Sequence, residues 1–198
     1  MAAARHLVVE KGPDALTVAD VTQAADVGFG TFYGYFDTKE ALLEAVVDEV
    51  LDDLGRTNDA LTAGLDDPAL IVAVAIRHMV RTAIEQPQLA ALLVRFGFSG
   101  DSRLWEGLHQ RMLRDLEAGV SAGRFRGDRL AAATVTVGGA VMAALRANDL
   151  GWPQASLGDL DRGLAETLLG GLGLTVEDAA SVTTEAGVVL AAAISTHR

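Results

Sequence analysis

Between Thr17 and Lys39 the chain concentrates groups suited to holding phosphate rather than to breaking bonds. Phe29, Phe32, Tyr33, Tyr35 and Phe36 are five of the chain's ten aromatic residues, and they include both of its tyrosines. Phe32 and Phe36 are four apart and share one helix face. With Val21, Ala24, Val27 and Leu42 they would make a small core. Thr31, Tyr33 and Tyr35 then point elsewhere, and their hydroxyls suit phosphate oxygens. A head of two short helices has too little interior for five aromatics, so the tyrosines are expected outside it. Lys39, in the first turn of the next helix, adds a cation, and backbone N–H groups at helix starts can add further contacts.

The elements that must position these groups read as helices. Thr17-Val-Ala-Asp20 has the form of a capping box ahead of Val18 to Ala25. Asp26-Val27-Gly28 is a short turn, and a second short helix is expected from about Phe29 to Phe36. Two short helices joined by a turn containing glycine are the form of a helix-turn-helix, here over about 17–36. From Lys39 a long helix runs through Leu42, Leu43, Val46, Val47, Val50, Leu51 and Leu54 to about Leu65, with Gly55 its weak point. Further helices are expected over 68–86, 88–97, 101–122, 128–150, 157–172 and 176–197. Apolar residues recur at three and four rather than at two, and strand signals are almost absent. The expectation is an all-α protein of about nine to ten helices, with a head over 1–50 and a body over 51–198.

The stretch from Leu16 to Leu43, LTVADVTQAADVGFGTFYGYFDTKEALL, resembles the head of the TetR family of transcriptional regulators. The shared features are the capped helix, Ala-x-Val-Gly at the turn, Gly-Thr-Phe-Tyr-x-Tyr-Phe, and Lys-Glu-x-Leu-Leu. The resemblance implies a dimer that binds double-stranded operator DNA and is released when a small molecule enters the body. It implies base edges facing Gly28, Phe29 and Thr31, with phosphates held by Thr17, Tyr33, Tyr35 and Lys39. Gly28, Gly30 and Gly34 stand where larger polar residues are frequent, so direct base readout is sparse; Phe29 can meet only a thymine methyl. The first helix starts almost at Met1, without the family's basic lead-in, as a trimmed or misassigned start would give.

In the body, Trp105, His109 and Met112 fall on one helix face. They form either a ligand-pocket wall with one polar handle or ordinary core with a satisfied histidine. The resemblance favours the pocket, expected between 68–86, 88–97 and 101–122, with Phe96 as a further lining residue. His78, among Arg77, Arg81, Thr82 and Glu85, reads as part of a solvated face. Leu160, Leu164, Leu168 and Leu172 form an i, i+4 ladder, and 131–144 is rich in small residues, including Ala131 and Gly138. Both match the family's intersubunit four-helix bundle.

Composition limits the alternatives. The 198 residues carry a formal net charge of −11 and no cysteine, which excludes disulfides and thiolate metal sites. Residues 1–50 hold three Lys or Arg (Arg5, Lys11, Lys39) against nine Asp or Glu, which is not the usual footprint of a nucleic-acid binder. That balance keeps a second reading open, a dimeric helical interaction or ligand-carrier module without DNA binding. The four histidines lack metal-ligand spacing, and there is no phosphate loop or nucleophile motif. No enzyme activity, metal or cofactor is expected. With no signal peptide and no membrane-spanning stretch, the protein is expected in the cytoplasm, with no membrane partner.

Overall fold

Three helix starts are set by side-chain caps. The computed structural model describes residues 1–96, 103–147 and 159–196, apart from the side chains of 103–106, 129 and 194–196. Its described residues form ten α-helices and no strand: α1 Ala2–Lys11, α2 Val18–Ala24, α3 Phe29–Tyr35, α4 Lys39–Thr62, α5 Pro68–Glu85, α6 Pro87–Phe96, α7 Arg103–Ser121, α8 Leu130–Leu145, α9 Leu160–Leu172 and α10 Val176–Thr196. Thr17, Thr38 and Asp67 each accept a backbone N–H at the start of α2, α4 and α5. At the far end, α9 stops at Gly173, whose φ of +111° is the left-handed conformation that glycine adopts without strain. The chain then doubles back into α10.

Two cores result. The first joins the head to its support: Leu7, Val8, Leu16, Val21 and Phe32 pack with Leu42, Leu43, Val46, Val47 and Val50 of α4 and with Leu89, Leu92, Leu93 and Phe96 of α6. The second fills the body, where Val72, Val74, Ile76 and Val80 of α5 meet Leu116 of α7, Leu168, Leu169 and Leu172 of α9, and Val182 and Leu190 of α10. Helix α4 belongs to both regions. It starts against α1 in the head and runs down the body against α5 and α7.

Charge pairs tie the body helices together. Arg77 and Arg81 of α5 both donate Nε–H to Asp161 Oδ2 of α9, each over 2.7 Å. Arg77 also donates to the carbonyl of Thr183 in α10. Arg77 and Asp161 are buried, which corrects the expectation of a solvated face around His78. The spacing marked a polar face on α5, but it could not show that α9 supplies a carboxylate to cover it. His78 is itself half-buried, and its Nδ1–H donates to Asn58 Oδ1 of α4 over 2.7 Å. Burial holds its pKa below the ordinary imidazole value.

Candidate nucleic-acid interface and interior cavity

Helix α3 stands on Phe32. That ring is buried, 5.2 Å from the ring of Tyr33 in an edge-on contact and 5.8 Å from Phe36. The other aromatics of this helix turn outward: Phe29 and Tyr33 are each 54% exposed and Tyr35 is 81% exposed. Thr31 is exposed as well. Ala24 and Val27 lie at the surface rather than in the expected small core, because the floor under Phe32 is supplied by α1 and α4. In the turn, Asp26 rather than a glycine takes the left-handed conformation, at φ 53°. Asp is among the few non-glycine residues that do so readily. Gly28 is the N-cap of α3, with φ −79°.

Nothing in the chain requires glycine at 28, 30 or 34. A β-carbon at any of these positions would meet no atom within 4 Å, and none has a positive φ. The outward ridge of α3 is therefore bare backbone, flanked by Phe29, Tyr33, Thr31 and Tyr35.

The head's cations are each engaged within the chain. Arg5 pairs with Asp53 at 2.9 Å and Lys11 with Asp20 at 2.9 Å. Lys39 Nζ donates to the carbonyls of Leu16 at 3.1 Å and Pro13 at 3.5 Å, binding the α1–α2 loop to the start of α4. Thr17 spends its hydroxyl proton on Asp20 Oδ2 (2.6 Å) and accepts from Asp20 N. Hydrogen bonds from the Thr17 hydroxyl, from Lys11 and from the Thr17 backbone hold the Asp20 carboxyl down at about 2.

Below the head lies a cavity of about 410 Å³ between α4, α5, α7 and α8. Val72, Ile76, Met79, Leu108, Val141 and Met142 give it apolar walls, and Asn58, Asp59, Thr62, Arg111, Asp115 and Thr134 contribute polar groups. Of the residues expected to line a pocket, His109 and Met112 do, His109 exposed and Met112 half-buried. Phe96 does not. It is buried in the core beneath the head, because α6 serves as the floor of α1 rather than as a cavity wall. The side chain of Trp105 lies outside the described residues. The lining residues missed in the sequence come mostly from α4 and α8, whose register against α7 no periodicity reveals.

The surfaces expected to face a second subunit are redistributed. Leu168 and Leu172 are buried in the chain's own core, with Leu160 and Leu164 half-buried against it. The ladder packs inward because α5 and α10 offer it an apolar bed. Gly138 also turns inward, lining the cavity with its β-carbon position 3.8 Å from Met112 Cε. Ala131 remains exposed. Among the described residues of the body, the large apolar groups left outward are Val135 on α8 (76% exposed), which also borders the cavity, and Val176 and Val188 on α10 (89% and 66%).

Residues 1–46 match the model of bacterial regulatory proteins of the tetR family, and residues 67–185 match the tetracyclin repressor-like C-terminal domain. The chain belongs to the TetR family. It carries the family's helix-turn-helix head and an all-helical body.

Among its TetR-family relatives, the HTH-type transcriptional repressor KstR2 of Rhodococcus jostii is 32% identical over 133 residues. That match covers 63% of this chain and 65% of the relative, just under two thirds of its length. Among solved structures, ligand-free RolR superimposes with a TM-score of 0.72 at 31% identity, covering 92% of this chain and 94% of that one. RolR in complex with resorcinol gives 0.66 at 30% identity, covering 92% and 89%. FadR of Bacillus subtilis, in complex with stearoyl-CoA, shares the fold with a TM-score of 0.71 at 19% identity, covering 86% and 96%. No described helix of the chain is long and apolar enough to cross a membrane.

Proposed function

We propose that this regulator is a repressor that holds operator DNA as a homodimer and lets go when a small, mainly hydrophobic molecule fills the cavity. The observation that carries this reading is the course of α4. One end is tied to the head, where Lys39 holds the carbonyls of the α1–α2 loop, and the other lines the cavity through Asn58, Asp59 and Thr62. A ligand in the cavity touches the helix on which the head is mounted.

In this reading the head comprises 1–50 and the body 51–198. Phe29 and Thr31, beside the bare ridge of Gly30 and Gly34, meet base edges, while Tyr33, Tyr35 and Lys39 meet phosphates; Thr17, expected among them, gives both its hydroxyl proton and its backbone N–H to Asp20 and has no donor left for a phosphate. Lys39 has three N–H donors and spends two on carbonyls, so one remains for a phosphate. His109 and Met112 contact the effector. Ala131 and Val135 of α8 with Val188 of α10 face the second subunit. RolR, whose structure was solved with resorcinol, supports a small organic effector.

The internal pairing of Arg5, Lys11 and Lys39 favours a second reading, a helical ligand-carrier or interaction module that has lost DNA binding. A gel shift on the palindrome nearest the start of the chain's own gene separates the two. A shifted band that a scrambled fragment does not give supports the repressor. No shift at low salt supports the module.

A further inference from the structure

We infer that the effector is an uncharged, mostly apolar compound carrying a carbonyl or similar oxygen acceptor, and that Arg111 reads this group. The inference rests on the cavity being the effector site. The cavity's charged groups gather where α4 meets α7: Asp59, Arg111 and Asp115, all lining residues. Arg111 Nε donates to Asp59 Oδ2 over 3.0 Å. Arg114 stands just outside the lining, its Nη2 2.9 Å from Asp115 Oδ1 and 3.6 Å from Asp59 Oδ1. Two carboxylates therefore face two guanidiniums, and this rim is electrically balanced before any ligand arrives.

That balance selects against charge. A carboxylate entering the cavity loses its water and finds Arg111 already committed to Asp59, and burying an ion without its own partner is costly. A neutral acceptor meets no such penalty. Among the described residues only Nε of Arg111 is hydrogen-bonded, so the Nη groups have N–H bonds to give. The guanidinium is held in place by the α4 backbone. It lies against Gly55, where a β-carbon would stand 2.7 Å from Nη1 and 2.9 Å from Cζ. Residue 55 is the gap that lets Arg111 reach Asp59, one turn further along α4. Hydrogen-bonded to one side and seated on the other, Arg111 offers a fixed donor at the edge of a mainly apolar chamber.

Three compounds of one skeleton test this by melting and calorimetry at pH 8, where an imidazole is uncharged: 4-phenylbutan-2-one, 3-phenylpropanoate and butylbenzene. On the wild type the ketone should raise the Tm and bind about tenfold or more tighter than the acid, with the hydrocarbon in between. Asp59→Asn removes one anion from the rim, so the order of ketone and acid should reverse. Arg111→Gln should reduce the ketone to the level of the hydrocarbon. Acid binding the wild type as tightly as ketone, or an unchanged order in Asp59→Asn, overturns the inference. If hydrocarbon and ketone bind alike, the cavity reading survives and the assignment of Arg111 falls. If none of the three binds any variant, both fall.

Discussion

Arg77 of α5 and Asp161 of α9 meet through a 2.7 Å hydrogen bond although 84 positions separate them in the sequence. Arg81 shares the same carboxylate oxygen, so one buried anion holds two cations. Removing the anion leaves Arg77 buried without its charge partner, a loss of roughly 3–5 kcal/mol for a broken buried pair. Asp161→Ala should lower the urea midpoint by that equivalent, and Asp161→Asn by less, since it keeps one acceptor. A midpoint unchanged in Asp161→Ala would show that the pair contributes nothing net.

Gly30 and Gly34 separate stability from function. Neither is needed by the fold, because a β-carbon at either meets open space. Replacing each by alanine should stabilise α3 by about 1 kcal/mol. The same methyl would stand between the bare ridge and the floor of a DNA groove. Gly34→Ala should therefore melt higher while binding operator more weakly, measured by thermal melts alongside fluorescence anisotropy. Equal or tighter DNA binding in both variants would remove any role for the bare ridge.

The head was legible because its signals are local: Thr17 to Asp20 forms the cap, and Phe32 and Phe36 share a face within one helix. The cavity was half legible for the complementary reason. The spacing of His109 and Met112 on α7 marked a wall, but Asn58, Asp59 and Thr134 reach the chamber only through the packing of α4 and α8. The leucines at 160, 164, 168 and 172 showed that α9 has one apolar face, while the surface it covers, α5 and α10 of the same chain, depends on topology. Gly55 read as a weak point in α4, and its use as the seat of Arg111 required the position of a side chain 56 residues away. Phe96 was misplaced because an aromatic at a helix end fits a core and a pocket equally well in sequence.

Acid should loosen the body at a defined place. Arg124 binds Asp67 through Nη2 at 3.0 Å and Asp178 through Nη2 at 3.0 Å, tying the starts of α5 and α10 to the α7–α8 loop. Hydrogen bonds from Arg124 hold both carboxyls below their ordinary value. Their folded pKa values thus lie under the unfolded ones, so their contribution is complete above the usual carboxylate range and disappears as pH falls through the folded values. The urea midpoint should be level from pH 7 to about 5 and fall below about 4. In Arg124→Gln it should start lower and fall less steeply over the same interval. An identical acid profile in that variant would contradict the assignment.

Val135 and Val188 are the test of assembly. If they lie in an isologous contact, that interface should exceed roughly 1,000 Å². Val188→Glu should then convert a dimer into a monomer by light scattering, and Leu168→Ala should instead destabilise each chain by about 2–5 kcal/mol through a core cavity. A wild-type monomer at micromolar concentration would contradict the dimer.

Whether this acidic head holds operator DNA is read out by a titration of affinity against salt on the palindrome nearest the gene's start. With Arg5 and Lys11 paired internally, Lys39 is the one head cation left to meet a phosphate from each subunit. Log affinity should fall with log salt at a slope of roughly 2 for a dimer. Lys39→Ala should weaken binding to every sequence alike, and Thr31→Ala should change which sequence is preferred. Specific binding with that shallow slope is the predicted result. No binding to the palindrome even at low salt, with the protein folded, would contradict operator binding by this head.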